Sequence, residues 1–169
     1  MAQTLTVFFD DATETRLRAL RDSLDAADVP VAAGRPSVTL ASASAIPATT
    51  RKALRAELGA LFLPDLWFYT LGTFPGEDAV LLLTAVVDAE LLAVHSAVHD
   101  VLAGKVTNPS AYYFPGAWIP HCALTPVLGG DVLTAGFAAL RSVAPVRAAV
   151  SEVAVLDSRT GDAEVLVSR

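Results

Sequence analysis

The chain holds a single cysteine, Cys122, a single methionine and three histidines in 169 residues. One thiol closes no internal disulfide, so a disulfide-stapled secreted scaffold is excluded and a reducing compartment such as the cytoplasm fits. No apolar run reaches the roughly 20 residues of a bilayer span, because Asp, Gly or Pro interrupts each one. Met1 to Asp10 shows no basic segment leading into an apolar core and a cleavage site, so no secretion signal is expected. Cations are outnumbered by anions, 12 to 18, for a net charge of −6. That balance argues against a broad surface tracking the phosphates of long nucleic acids, and leaves open a local pocket for a small anion. What is abundant is apolar: 53% hydrophobic residues against 18% charged, with no low-complexity tract. This is a globular composition. A soluble single domain, residues 1–169, is expected, because no linker-like stretch divides the chain.

The pattern alternates strands and helices. Thr4 to Phe9 reads as a strand closed by Asp10-Asp11, either of which can cap a helix from about Ala12 to Ala27 that carries Leu17, Leu20 and Leu24 at helical spacing. Pro30, Gly34 and Pro36 punctuate a loop into a strand over Ser37 to Ala43. Pro47 opens a helix over Ala48 to Leu61, and Pro64 stops it. Trp67 to Phe74 and Val80 to Val87 read as strands joined by a Pro75-Gly76-Glu77-Asp78 turn. Asp88 caps a third helix, Ala89 to Leu102, ended by Gly104. A loop over Thr107 to Gly116, a strand around His121, a helix near Asp131 to Val143 and a hairpin formed by Arg147 to Asp157 and Glu164 to Ser168 complete the chain. Strands joined by helices and by hairpins alike predict an α+β fold with mixed or antiparallel sheets.

Two short stretches echo each other. Pro36-Ser37-Val38-Thr39-Leu40 and Pro120-His121-Cys122-Ala123-Leu124 both alternate as strands, so Ser37 shares a face with Thr39, and His121 with Ala123 and Thr125. A strand histidine titrates near neutrality and can act as general base or acid. A hydroxyl two residues on points the same way and can donate to a phosphate oxygen. Two facing strands of this kind would surround one phosphorus with the groups that in-line attack on a cyclic phosphodiester needs, without metal or cofactor.

These stretches resemble the paired His-x-Thr/Ser motifs of the two-histidine phosphoesterases, the superfamily of the 2′-5′ RNA ligases and 2′,3′-cyclic nucleotide phosphodiesterases. Phe74-Pro75-Gly76, the helix from Leu91 to Leu102 and Tyr113-Phe114-Pro115-Gly116-Ala117-Trp118 are similar to the bacterial 2′-5′ RNA ligase-like branch. The resemblance implies two pseudo-symmetric βα lobes flanking a central groove. It also implies a ligand that is a small nucleotide or RNA end with a cyclic or 2′-linked phosphate, and no resident metal. Carried over by position, His121 is the remaining histidine and Thr39 the remaining hydroxyl. Ser37 stands in place of the first histidine and Ala123 in place of the second hydroxyl. Serine has no useful buffering pKa, and acid or base help is worth about 10²–10⁴-fold. Catalysis is therefore expected to be weakened or lost. A non-catalytic nucleotide or phosphate binder, or an interaction module on the same fold, are the alternatives.

The candidate catalytic residues are thus His121, Thr39 and Ser37. Cys122 is expected to face away from His121 as a small buried apolar group. Arg35 is the cation placed to see an anion in the groove, with Ala123 and Thr125 as further contacts. Tyr112, Tyr113, Phe114 and Trp118, with Phe74 from the hairpin, either wall the groove for a base or ribose or plug a long loop. Arg16, Arg18 and Arg21, like Arg51, Lys52 and Arg55, are interspersed with acids and read as solvated helix faces. His95 and His99 have i, i+4 metal-ligand spacing but no third ligand, and His95 follows the apolar stripe of Leu91, Val94, Val98 and Leu102, which favours a core-edge role.

Overall fold

A computed structural model describes residues 2–77 and 79–169. Asp78, part of the expected Pro75–Asp78 turn, lies outside the described residues. The first strand, β1 (Gln3–Phe9), leads into α1 (Asp11–Asp25), which is capped by Asp10: its carboxylate accepts the Thr13 N–H at 2.8 Å. β2 (Ser37–Ala45) carries the first motif and is followed by α2 (Ala48–Ala60), with Pro47 at its cap position. β3 (Leu66–Gly72) and β4 (Leu82–Ala85) precede α3 (Ala89–Leu102), where Asp88 accepts the Leu91 N–H at 2.8 Å. The expected 107–116 loop contains a short strand, β5 (Thr107–Pro109), and a single turn of 3₁₀ helix at Ala111–Tyr113. β6 (His121–Ala123) carries the second motif and is only three residues long. α4 (Gly130–Leu140), β7 (Val146–Ala148), β8 (Val150–Asp157) and β9 (Ala163–Ser168) complete the chain.

Two antiparallel sheets result, one in the order β5-β2-β1-β8-β9 and the other in the order β6-β4-β3-β7. The expected α+β class is the observed one, and the motif strands fall in different sheets. One expectation changes. Arg147 to Asp157, read as one strand, is broken at Ala149, so that β7 joins one sheet and β8 the other. The break is held by the start of α1: Asp10 N–H donates to the Ala149 carbonyl, and Ala149 N–H donates to the Thr13 hydroxyl.

The register explains which side chains meet. In antiparallel pairs, residues directly opposite lie on the same face. Thr39 pairs with Thr6 and Ser37 with Phe8 on β1, and Phe8 pairs with Glu152 on β8. The motif face of the larger sheet therefore also carries Phe8 and Glu152. His121 pairs with Thr84 and Ala123 with Leu82. Across the sheets, Phe9 of β1 meets Phe68 of β3 edge to face, with ring centres 5.7 Å apart. α2 and α3 pack on each other and against β9 and β2, while α1 pairs with α4 and leans on β7. A buried apolar cluster runs through both sheets, from Leu5, Val38 and Leu40 to Leu83, Cys122 and Leu124.

Candidate functional site

Ser37 and Thr39 of β2 and His121 and Ala123 of β6 line one cavity of about 150 Å³. The two motifs thus converge although they belong to different sheets. Its walls are completed by Arg35 and by Arg21, Ala32 and Ala33. The His121 ring is fixed by the segment leading into its strand: Nδ1 lies 2.7 Å from the Ile119 carbonyl. A carbonyl can only accept, so the neutral ring carries its proton on Nδ1 and presents a lone pair at Nε2. Phe74 packs edge to face on the imidazole at 5.2 Å. His121 also lines a second cavity, of about 140 Å³, with Phe74, Tyr112, Tyr113, Trp118 and Ile119. One imidazole separates a polar chamber from an aromatic one.

Arg35 reaches the polar chamber but is already engaged. Its guanidinium lies 4.3 Å from the centre of the Phe8 ring and pairs with Glu14 at 2.7 Å and Glu152 at 3.4 Å. Burial opposes its charge, yet hydrogen bonds to the two carboxylates outweigh that and raise its pKa above the ordinary value.

Thr125 is not at the site. It is 2% exposed, and its hydroxyl accepts the Leu81 N–H at 3.0 Å. β6 ends at Ala123, so strand alternation does not carry the motif face on to residue 125. Trp118 lines the aromatic chamber, but its indole is mostly structural. The ring stacks on His95 at 4.0 Å, nearly parallel, and Nε1–H donates to the Thr39 carbonyl at 2.9 Å. Tyr113 is half-buried, and burial pushes its phenol pKa up. The Cys122 thiol is fully buried. Burial drives its pKa up against the opposing pull of the Ser37 N–H and the Arg21 guanidinium.

Arg21 departs from the sequence reading. Expected on a solvated face, it is 8% exposed. Its Nη1 donates to the Gly34 carbonyl at 2.7 Å and its Nη2 to the Ala123 carbonyl at 3.1 Å. Gly34 adopts φ 77°, a backbone state that glycine takes at little cost, which fits the turn ahead of β2. The signal was present: Leu17, Arg21 and Leu24 follow i, i+4, i+7 and form one buried stripe.

His95 and His99 both place Nε2 on the Leu40 carbonyl, at 3.2 and 3.1 Å. Burial, and then the neighbouring His99, lower the His95 pKa to about 4 despite the Leu40 and Tyr113 carbonyls; burial likewise lowers that of His99. Among the described residues no group of three or more His, Cys, Asp or Glu side chains could hold a metal ion. A larger cavity of about 370 Å³ opens between Ala41, Ala43, His99, Leu102 and Phe114, but it is apolar and contains none of the motif side chains.

A family model described as the 2′-5′ RNA ligase superfamily matches residues 8–162. The chain belongs to this superfamily. No curated protein matches the sequence. Among solved structures, Escherichia coli LigT complexed with 3′-AMP is similar at 14% identity and a TM-score of 0.57, covering 96% of this chain and 91% of that one. Usb1 of Kluyveromyces marxianus is similar at 10% identity and a TM-score of 0.56, covering 98% and 97%. At such identities the likeness shows a shared fold. No helix is long and apolar enough to cross a membrane among the described residues.

Proposed function

We propose that this cytoplasmic member of the superfamily binds a small nucleotide or RNA end bearing a cyclic or 2′-linked phosphate, and turns it over far more slowly than a two-histidine site allows. The observation that carries the reading is the convergence of Ser37, Thr39 and His121 on one polar cavity, next to an aromatic one that shares His121. In this reading the polar chamber takes the phosphate and the aromatic chamber, lined by Phe74, Tyr113 and Trp118, takes the base. The 3′-AMP bound to the similar LigT fold is a ligand of this size.

In hydrolysis of a cyclic phosphodiester, the Nε2 lone pair of His121 takes a proton from the attacking water. The water oxygen bonds to phosphorus and one ribose P–O bond breaks. The Thr39 hydroxyl donates to a non-bridging oxygen. The leaving ribose oxygen needs a proton, and Ser37 cannot supply it from a buffering side chain. The proton must come from solvent, because in-line departure puts that oxygen on the side of phosphorus away from His121. Losing a positioned acid costs about 10²–10⁴-fold. Ser37 and Ala123 together favour, as a second reading, a binder that holds nucleotide without cleaving it.

Purified protein incubated with 2′,3′-cyclic mononucleotides and 2′-5′ dinucleotides tests both readings. Slow hydrolysis that His121→Ala abolishes supports the enzyme. Saturable binding without turnover selects the binder. If neither occurs and Ser37→His restores nothing, both readings are wrong.

A further inference from the structure

The polar chamber contains two arginines in opposite electrostatic states. Arg35 is matched by two carboxylates. Arg21 is more deeply buried and, among the described residues, has no carboxylate in ion-pair reach; its two hydrogen-bond partners are the neutral carbonyls of Gly34 and Ala123. Its Nε is sealed from solvent and meets no acceptor. Carbonyls relieve part of the desolvation of a guanidinium but leave its charge uncancelled, and an unpaired buried charge is unfavourable. Arg21 lines the cavity that also offers the Ser37 and Thr39 side chains and one face of His121.

We infer that Arg21 is the anchor of an oxyanion seat in this chamber, supplying fixed positive charge to a phosphoryl group at the site where one imidazole has been replaced by Ser37. Each of its terminal nitrogens has two N–H groups. The carbonyls of Gly34 and Ala123 hold the guanidinium in place, and the remaining terminal N–H groups and the charge serve the anion. Arginine suits the task because it stays protonated when buried and its planar fork is held from both sides. Only the naming of the anion as the phosphate of a nucleotide rests on the function proposed above; the seat itself rests on the unpaired guanidinium.

The test uses inorganic phosphate and 3′-AMP as separate probes, at ionic strength matched with chloride, on the full chain. Phosphate is expected to raise the melting temperature of the wild type above the chloride control. It is also expected to shift the ¹H–¹⁵N resonance of the Arg21 Nε–H, because an anion on the same guanidinium changes its field. Arg21→Met is expected to lose the phosphate response and to bind 3′-AMP about 10- to 100-fold more weakly, as for a lost charged hydrogen bond. Arg21→Lys keeps the charge without the fork and is expected to retain part of the response. If Arg21→Met does not fold, the wild-type resonance and Arg21→Lys decide. An unmoved Nε–H resonance under saturating phosphate, or an undiminished phosphate response in Arg21→Met, overturns the seat. Phosphate seated at Arg21 with no binding of 3′-AMP or cyclic nucleotide sinks the nucleotide reading and leaves the seat standing. Nucleotide binding undiminished in Arg21→Met does the reverse.

Discussion

The Trp118 indole N–H donates to the main-chain carbonyl of Thr39 at 2.9 Å, joining the loop that enters one motif strand to the motif of the other, near the start of β2. The bond spans the two sheets and is backed by the His95 ring stacked on the indole. Trp118→Phe keeps most of the stack and removes the donor, leaving the Thr39 carbonyl without that partner. Chemical denaturation is expected to show a loss of about 1–2 kcal/mol with an unchanged denaturant slope.

On the function proposed above, a second histidine and a second hydroxyl in the polar cavity are expected to speed turnover. Ser37→His adds a second acid or base, and Ala123→Thr a second phosphate donor. The double variant should hydrolyse 2′,3′-cyclic mononucleotides about 10²–10⁴-fold faster than the wild type, and His121→Ala in that background should remove the gain. Initial rates of ring opening measure both.

Thr125 belongs to the frame rather than the site. Thr125→Val leaves the buried Leu81 N–H without its acceptor and is expected to cost about 1–3 kcal/mol of stability. Affinity for 3′-AMP, measured well below the melting temperature, should stay at the wild-type value.

The His95 pKa, lowered to about 4, makes folding sensitive to acid. Between about pH 6.5 and 4 the unfolded chain binds a proton at this residue that the folded chain refuses. The stabilising contribution is therefore complete above pH 6.5 and is lost as the pH falls toward 4, by roughly 3 kcal/mol for a shift of this size. His99, also lowered, acts in the same direction. His95→Phe is expected to flatten the dependence of the denaturation midpoint over this range, while His99 still donates to the Leu40 carbonyl.

The buried cluster that links both sheets leads us to expect one cooperative unfolding transition for the whole chain. Fluorescence of Trp67 and Trp118 and far-ultraviolet circular dichroism should report the same midpoint. Separated transitions would mean that the lobes fold independently.

Periodicity made α1, α2 and α3 legible, because each carries an apolar stripe and a start signal, Asp10, Pro47 or Asp88. The convergence of Ser37, Thr39 and His121 was legible through the echo of one motif in the other. Strand length was not: β6 stops after three residues, and alternation continued past its end wrongly brings Thr125 to the site. Arg21 escaped because its neighbours Arg16 and Arg18 are exposed and composition averages over the helix. Its position on the Leu17–Leu24 stripe carried more information than its charge. The break at Ala149 depends on two hydrogen bonds from a distant helix start, which no local pattern encodes.

That break also makes Ala149 a corner at which one stretch of chain passes from one sheet to the other, β7 along β3 and β8 along β1. The face that Glu152 presents is set by its pairing with Phe8, and from that face the acid meets Arg35. A buried face fixes the register of a strand, so a residue added at the corner would be taken up in the corner and leave Glu152 opposite Phe8. The ion pair at the chamber mouth is in this way insulated from the geometry of the turn that delivers its strand.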